Sequence, residues 1–370
     1  MRVMITGGGT GGHTSPATAI LEELRRRDPR LLALWVGHRG GIEERVARNA
    51  GVPFRALPVE GWPRRKTPRM AWTLVKLAWS GFRAATWLWR FRPQAVIGVG
   101  GYVSLPLVWA AQRLGFPTFL HEQNKRLGMA NRLCAARATR IFLSYPDTIG
   151  DYPADRAMVV GNPVRSGFIS PPGQRAARLK FGLDPNRPVV LVSGGSQGAR
   201  TLNRAVLGMA GNFGNGEAQF LWMTGRPDHA EMQEKAAPWK GRVQVHPFIE
   251  DMPAACAAAD LIVSRAGAST TAEIAVLGKP AVLVPFPFAT DNHQEHNARA
   301  FVDAGAGVLL LDKECDSARL ETVVRELLAD PARLEKMGQA AKSLAKPLAA
   351  ETVVEQIITE IFSGGGTAEK

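Results

Sequence analysis

The sequence predicts an α/β protein of two domains, each built on a parallel sheet. Short apolar runs alternate with helical stretches, the alternation restarts near residue 189, and each half opens on a strand, a glycine turn and a helix. These are the marks of two Rossmann-like domains. At 370 residues the chain exceeds one ordinary core and suits two. Hydrophobic residues at 45% and charged residues at 21% give a globular rather than a disordered composition.

In the first half, residues 3–6 read as a strand, followed by glycines and a helix over 16–27 with Ser15 as N-cap and Pro16 as first residue. Residues 31–36 and 95–99 are further strands, the latter followed by Gly100-Gly101 and a helix over 105–114. Strands at 118–121 and 140–144 complete this half. The second half starts with a strand at 189–193 and the turn Gly194-Gly195-Ser196-Gln197-Gly198. Strands at 220–224, 243–245, 261–263 and 281–284 follow, with helices between them. The link lies near Gly161-Asn162-Pro163-Val164-Arg165. A final apolar-periodic stretch over 348–361 suits packing on either half, and 363–370 reads as a disordered tail.

The turn Gly7-Gly8-Gly9-Thr10-Gly11-Gly12-His13 joins a strand to a helix. Glycine allows positive φ and close backbone approach, and the helix start offers free N–H groups to a phosphate. Gly7, Gly9 and Gly12 also satisfy a dinucleotide fingerprint. An NAD enzyme would place an acid at the end of the second strand, where this chain has Gly37-His38-Arg39; Arg39 leaves an NADP reductase as a weaker alternative. Gly98-Val99-Gly100-Gly101-Tyr102 ends another strand, and two such turns suit an extended, diphosphate-bearing substrate. The plain alternative is that these glycines only make tight turns.

In the second half, the strand ending at Ser264-Arg265 is followed by Ala266-Gly267-Ala268-Ser269-Thr270-Thr271, a small-residue loop opening a helix with Glu273 expected in its first turn. Exposed N–H groups beside hydroxyls at a helix start form an anion site. Glu273 suits the helix dipole, and is placed to accept both ribose hydroxyls of a nucleotide whose diphosphate lies on the loop. After the strand at 281–284 comes Asp291-Asn292-His293-Gln294-Glu295-His296-Asn297, a polar run at the strand end where open α/β sheets bind ligands and amides can select sugar hydroxyls. His293 and His296 lack a third ligand at motif spacing, so no metal site is expected. The pocket from Ser264 to Asn297 therefore reads as a nucleotide-sugar site.

Charge and cysteines narrow the setting. Residues 1–163 hold 24 Lys/Arg against 10 Asp/Glu, while 164–370 hold 22 against 23, so the whole excess of +13 sits in the first half. That half should meet an anionic partner. Residues 62–92 carry eight basic residues, no acid and five of the nine tryptophans: Trp62, Trp72, Trp79, Trp87 and Trp89. Arg69, Lys76, Arg83 and Arg90 recur every seven residues, forming one basic helical stripe. Tryptophan beside arginine suits an anionic membrane surface; some of these side chains must also pack on the domain. Nucleic acid is the rival anion, but no recognised nucleic-acid module supports it. No window reaches a membrane span, and the start lacks the parts of a signal peptide, so none is expected. Cys134, Cys256 and Cys315 are scattered and odd in number, which suggests buried free thiols in a reducing compartment.

Six segments in order carry a family resemblance: Gly8 to His13, Gly98 to Ser104, His121-Glu122-Gln123-Asn124, Gly161 to Arg165, Gly194 to Ala199, and Ser264 to Glu273, with the Asp291–Asn297 run added. The chain resembles the bacterial peptidoglycan N-acetylglucosaminyltransferases, which convert lipid I to lipid II. The resemblance implies a GT-B fold, two Rossmann-like domains facing across a cleft. Its domains would be 1–162 for acceptor and membrane and 163–345 for the UDP-sugar, with a helix over 346–362 returning to the first and a tail at 363–370. It implies UDP-N-acetylglucosamine as donor, a lipid-linked muramyl-pentapeptide as acceptor, inversion to a β-1,4 bond, no cofactor, and a peripheral place on the cytoplasmic face of the inner membrane, with a cell-wall synthesis complex as a further partner. By motif, Thr10, Gly11 and Gly12 line the cleft, Asn124 reaches the donor sugar, and Arg165 and Ser196 approach the diphosphate. Ile249 contacts uracil through its backbone, Ala268, Ser269, Thr270, Thr271, Ala272 and Glu273 hold phosphate and ribose, and Gln294 holds the sugar.

An inverting transfer needs alignment, a proton acceptor and stabilisation of the leaving diphosphate. No Asp-x-Asp clamp stands in a convincing place, so the helix start at 268–271 and Arg165 are expected to supply the positive field. His13 is the candidate base, since an imidazole titrates near ~6.5. Its alternative role is to bind acceptor phosphate or cap the turn. Glu122 is the second candidate, with a buried structural hydrogen bond as its alternative. Rival functions are another GT-B lipid transferase, a UDP-sugar epimerase, and a membrane scaffold without turnover; the retained His13, Asn124, Glu273 and Gln294 argue against the scaffold.

Overall fold

A computed structural model of the chain describes residues 1–9, 11–61, 69–214 and 216–363. Thr10, Trp62 and the tail from 364 onward, all named above, lie outside the described residues. The chain divides into two compact units, Met1–Ser166 with the residues from Lys346 onward, and Gly167–Ala345. The first boundary falls at Ser166 rather than Asn162, because the Ser166 N–H and hydroxyl both donate to Glu22 Oε2, at 2.8 and 2.9 Å.

The first unit holds seven parallel strands: β1 (Arg2–Thr6), β2 (Leu32–His38), β3 (Phe54–Leu57), β4 (Ala95–Gly98), β5 (Thr118–Glu122), β6 (Arg140–Leu143) and β7 (Ala157–Val159). Their order is β3-β2-β1-β4-β5-β6-β7. The crossovers carry α1 (Gly11–Arg27), α2 (Ile42–Asn49), α3 (Arg69–Phe91), α4 (Leu105–Arg113) and α5 (Met129–Ala135). In the centre Val3 pairs with both Ala33 and Ala95, and β4 and β5 are buried along their whole length. Such strands need cover on both faces, which is why β4 reads as an apolar run, while β5 ends on the buried polar pair His121 and Glu122.

A short helix α6 (Ser166–Ile169) leads into the second unit, with α7 (Gln174–Lys180), β8 (Val189–Ser193), α8 (Arg200–Ala210), β9 (Gln219–Met223), α9 (His229–Ala236), β10 (Val243–His246), α10 (Met252–Ala258), β11 (Leu261–Ser264), α11 (Ala268–Leu277), β12 (Ala281–Leu283), α12 (His293–Asp303), β13 (Gly307–Leu309), α13 (Ser317–Leu328) and α14 (Pro331–Ser343). Its six parallel strands run β10-β9-β8-β11-β12-β13. Both sheets reverse direction beside their first strand, between β1 and β4 and between β8 and β11. Ligands of open α/β sheets bind outside the strand ends at such switch points, and the glycine turns of this chain emerge there.

Helix α15 (Ala349–Ser363) belongs to the first unit. Val353, Val354 and Ile357 are fully buried in one cluster with Ile5, Ile20 and Leu24. Arg27 and Arg140 hold Glu351 and Glu360, at 3.2 and 2.6 Å, on either side of that seam. All three cysteines are buried, and none is in a disulfide among the described residues.

Two expectations need correction. Helix α1 starts at Gly11, not Pro16, and Ser15 lies inside it. The positive φ of Gly9, 84°, turns the chain into the helix directly, and Pro16 sits inside at the cost of one backbone bond. Strands β3, β7 and β13 were not expected; three or four residues at or near a sheet edge are too short to show a period. We expect Ile357→Ala to destabilise the chain by about 2–5 kcal/mol, read as a lower urea midpoint, because it empties a fully buried site in the first unit's core.

Candidate functional site

In the first unit the turn after β1 and the turn after β4 touch main chain to main chain. A Cβ on Gly101, whose φ is +79°, would lie 2.4 Å from the Gly8 carbonyl oxygen. Gly11, Gly12 and His13 are thus the opening residues of α1, with Gly12 exposed and His13 half-buried. The His13 ring rests on the second turn, since a side chain at Gly100 would come within 3.1 Å of its Cδ2 and 3.5 Å of the Asn131 amide nitrogen.

The end of β5 is a dense polar frame. Glu122 is 2% exposed, and four donors converge on its carboxylate. The N–H and side-chain amide of Asn124 donate to Oε1 at 3.0 and 3.1 Å; the Gly128 N–H and the Asn131 amide donate to Oε2, each at 2.9 Å. That commitment favours the structural alternative for Glu122 over a proton-accepting one. It also leaves Asn124 half-buried with its amide nitrogen tied down. Asn131 donates a second bond to the His121 carbonyl at 3.0 Å, which fixes its amide orientation. Its buried Oδ1 accepts no hydrogen bond among the described residues.

His121 has no exposed surface. Its Nε2–H donates to the Gly161 carbonyl, 3.1 Å away, and its Nδ1 accepts from the Gln123 amide at 3.0 Å. Burial without a counter-charge pushes its pKa down to about 4.

In the second unit the turn after β8 is built in the same way. Gly198, at φ +80°, would place a Cβ 2.2 Å from the Thr224 carbonyl oxygen. Beneath it Asn203, fully buried, donates to Thr224 O and Asp228 Oδ2, both at 2.9 Å, and accepts from Trp222 Nε1 at 3.1 Å. Ser196 stands half-buried on this turn. The N–H of Ile249 rests on the Met223 sulfur at 3.3 Å.

After β11, the chain enters α11 at Ala268 with Gly267 as N-cap and no side-chain cap bond. The Asn297 amide donates to Ala266 O at 3.0 Å and holds the loop from below. Ser269 and Thr271 are buried, and the Thr271 hydroxyl turns back onto Gly267 O and Ala268 O, while Thr270 and Ala272 stay half-exposed. Glu273 is half-buried on the second turn of α11, not the first. Arg265 fixes the neighbouring strand end: it pairs with Asp312 at 2.5 Å and donates to Val284 O and Pro285 O at 3.1 and 3.0 Å. The Gln294 Oε1 accepts the Phe286 N–H at 2.9 Å. Just before it, Asp291 and Asn292 both lie in the left-handed region, at φ 51° and 52°, a strain of roughly 1–3 kcal/mol each for non-glycine residues.

Helix α3 inverts the usual pattern. Thr73, Ser80, Ala84 and Leu88 are buried, while Trp72, Leu74, Val75, Trp79, Phe82 and Trp89 are each at least half exposed. Arg83 lies 5.1 Å from the Trp87 ring; Lys76 lies over Trp72 and pairs with Glu60. The exposed Trp109 of α4 carries Arg113 at 4.7 Å. Among the described residues, no helix is long and apolar enough to cross a membrane.

Comparison with known proteins gives these sites a family. Residues 3–143 match the glycosyltransferase family 28 N-terminal domain, and 189–353 the family 28 C-terminal domain. A UDP-N-acetylglucosamine--N-acetylmuramyl-(pentapeptide) pyrophosphoryl-undecaprenol N-acetylglucosamine transferase of Halalkalibacterium halodurans is 38% identical over 95% of this chain and 97% of its own. A protein of the same name from Desulforudis audaxviator is 39% identical over 99% of this chain and 100% of its own. The chain belongs to this transferase family. The solved structure of Acinetobacter baumannii MurG, a 28% identical match, covers 97% of this chain and 99% of that one, with a TM-score of 0.73. A UDP-GlcNAc 2-epimerase from Neisseria meningitidis, 16% identical with a TM-score of 0.67 over 97% of this chain and all of its own, shares the fold alone. The two parallel-sheet units are the architecture expected of the GT-B class.

Within this family member, sequence reasoning missed Asn131, Asn203 and Glu43, which hold turns from beneath. Glu43 carried a signal, an acid just after the glycines that follow β2, but it resembled an ordinary helix-start acid. His121 yields a pH prediction. Its folded pKa lies below the ordinary 6.5, so the unfolded chain binds a proton first as pH falls. The stability it permits is present above about pH 6.5 and is lost towards pH 4, by about 3 kcal/mol in all. Urea midpoints measured from pH 7.5 to 4 should show this slope, flattened in His121→Gln.

Proposed function

We infer that the chain transfers N-acetylglucosamine from UDP-N-acetylglucosamine to the muramyl 4-hydroxyl of undecaprenyl-diphospho-N-acetylmuramyl-pentapeptide, converting lipid I to lipid II. The observation that carries this is 38–39% identity to transferases of that name over nearly the whole of both chains.

The residue roles are those the family resemblance implies, and the local geometry supports several of them. The uncapped start of α11 supplies N–H groups and a partial positive charge to the UDP diphosphate, with Ala268, Ser269 and Thr270 at its mouth and Ser196 on the neighbouring turn. Arg165 adds a fixed positive charge. Glu273, one turn further along, accepts the ribose hydroxyls. The Ile249 N–H, held by a weak sulfur acceptor, is exchanged at small cost for a uracil carbonyl. Gln294 spends its oxygen on Phe286, so its NH2 is left to donate to the sugar. Asn124, tied by its nitrogen, presents its carbonyl oxygen as an acceptor. Gly11 and Gly12 let the acceptor approach the start of α1.

The transfer is a single displacement. The acceptor oxygen forms a bond to C1 as the bond from C1 to the β-phosphate oxygen breaks and its electron pair leaves with UDP. The hydroxyl proton passes to the His13 imidazole. The α11 start takes up the charge that develops on the diphosphate. UDP should be released with the lipid-linked muramyl acceptor; release with a diacylglycerol instead would overturn the assignment. His13→Ala should lower kcat by about 10²–10⁴-fold with a smaller change in KM for the donor, and near-normal turnover with an unaltered pH profile would remove the base role.

The exposed face of α3 is where the chain meets the cytoplasmic leaflet. Six large apolar side chains point outward beside Arg83 and Arg90, a composition suited to headgroups and anionic lipid. The acceptor's polyprenyl tail then stays in the bilayer. Vesicles containing phosphatidylglycerol should carry the protein in flotation at low salt; Trp79→Glu with Phe82→Glu should abolish this while turnover of a short-chain, water-soluble acceptor persists.

A further inference from the structure

Glu43, the second residue of α2, is a carboxylate with no exposed surface, and among the described residues no cationic side chain pairs with it. A buried charge of this kind is costly unless hydrogen bonds hold it. Its bonds are to main chain from two turns. Oε1 accepts the His38 N–H at 2.8 Å, at the end of β2, and Oε2 accepts the Gly9 N–H at 3.4 Å, in the turn after β1. The start of α2 adds a favourable dipole.

Three glycines surround this carboxyl group. A Cβ on Gly8 would stand 2.5 Å from Glu43 Cδ, on Gly41 2.6 Å from Oε2, and on Gly37 2.4 Å from Cγ. Neither Gly8 nor Gly41 has a positive φ, and the three nearest atoms that a Cβ would meet at each all belong to this side chain. Gly8 is therefore gripped from two sides, by Glu43 below and by the backbone of Gly101 against its carbonyl. The next residues along the chain lead into Gly11, Gly12 and His13 at the start of α1.

We propose that Glu43 is a positioning residue for transfer: its carboxylate sets the height of the Gly7–Gly9 turn and so the place of the α1 start and of His13. The proposal rests on the function inferred above. It implies that Glu43 acts on alignment and not on donor affinity, since the proposed uracil and ribose contacts, Ile249 and Glu273, belong to the other unit.

The test uses the full chain with UDP-N-acetylglucosamine and a lipid-linked muramyl-pentapeptide. In Glu43→Gln one acceptor oxygen becomes an NH2 facing an N–H, at nearly unchanged volume. We expect kcat to fall on the order of 10²-fold, as misplacement of a reacting group does, with UDP affinity by calorimetry within twofold of the parent. An unchanged kcat, or a loss confined to UDP affinity, would overturn the proposal. A second arm does not depend on that variant folding. Gly8→Ala should be nearly inactive because of the clash, and Gly8→Ala with Glu43→Ala should recover at least fivefold over Gly8→Ala alone. No recovery would overturn the steric coupling on which the proposal stands. Absence of transfer by the parent chain would instead refute the functional reading.

Discussion

Main chain meeting main chain between turns that follow neighbouring strands is the constraint on which the rest of this structure depends. Gly101 against the Gly8 carbonyl, and Gly198 against the Thr224 carbonyl, leave no room for a β-carbon. Each contact locks two turns that emerge from neighbouring strands, so a helix start follows one strand at a fixed height above the other. The backbone N–H groups of those starts, rather than long flexible side chains, then become the binding surface. Such groups cost little entropy to order, because the sheet has ordered them already.

A turn fixed by backbone still needs something beneath it, and in both units that support is a buried polar side chain with several bonds. Glu122 gathers four donors below the Asn124 loop, Asn203 spans Thr224, Asp228 and Trp222, and Asn297 holds Ala266. Each is a single residue whose removal would strand several partners at once, so these positions tolerate substitution poorly for reasons unrelated to substrate contact. His121 joins the same class with a neutral ring, and its two bonds at opposite nitrogens specify one tautomer.

Much of the architecture was legible because central parallel strands are continuous apolar runs and glycine turns follow them. The restart at 189 located the second sheet to the residue. Edge strands such as β7 and β13 were not legible, since three residues carry no period. Local signals misplaced the start of α1, where Pro16 suggested a first residue and glycine geometry put the helix earlier. The glycine turns were visible as loops, yet the reason for Gly8 and Gly41 was not, because it is Glu43, distant by 35 residues from the first of them and recognisable only in three dimensions. The outward face of α3 was predicted from composition; that its buried face would consist of Thr73, Ser80, Ala84 and Leu88 was not.

The placement of α15 bears on how the chain reaches this state during synthesis. Residues 167–345 form a contiguous unit and have all their strands and helices once they have left the ribosome. The first unit does not: Val353, Val354 and Ile357, which complete the packing around Ile20 and Leu24, are made only after the whole second unit. Until then one apolar face of the older sheet lacks its last cover, and its contacts close over a loop of nearly the full second unit. The earliest-made half of the protein is therefore the last to finish folding, and a nascent chain stalled before residue 346 would expose that face to chaperones.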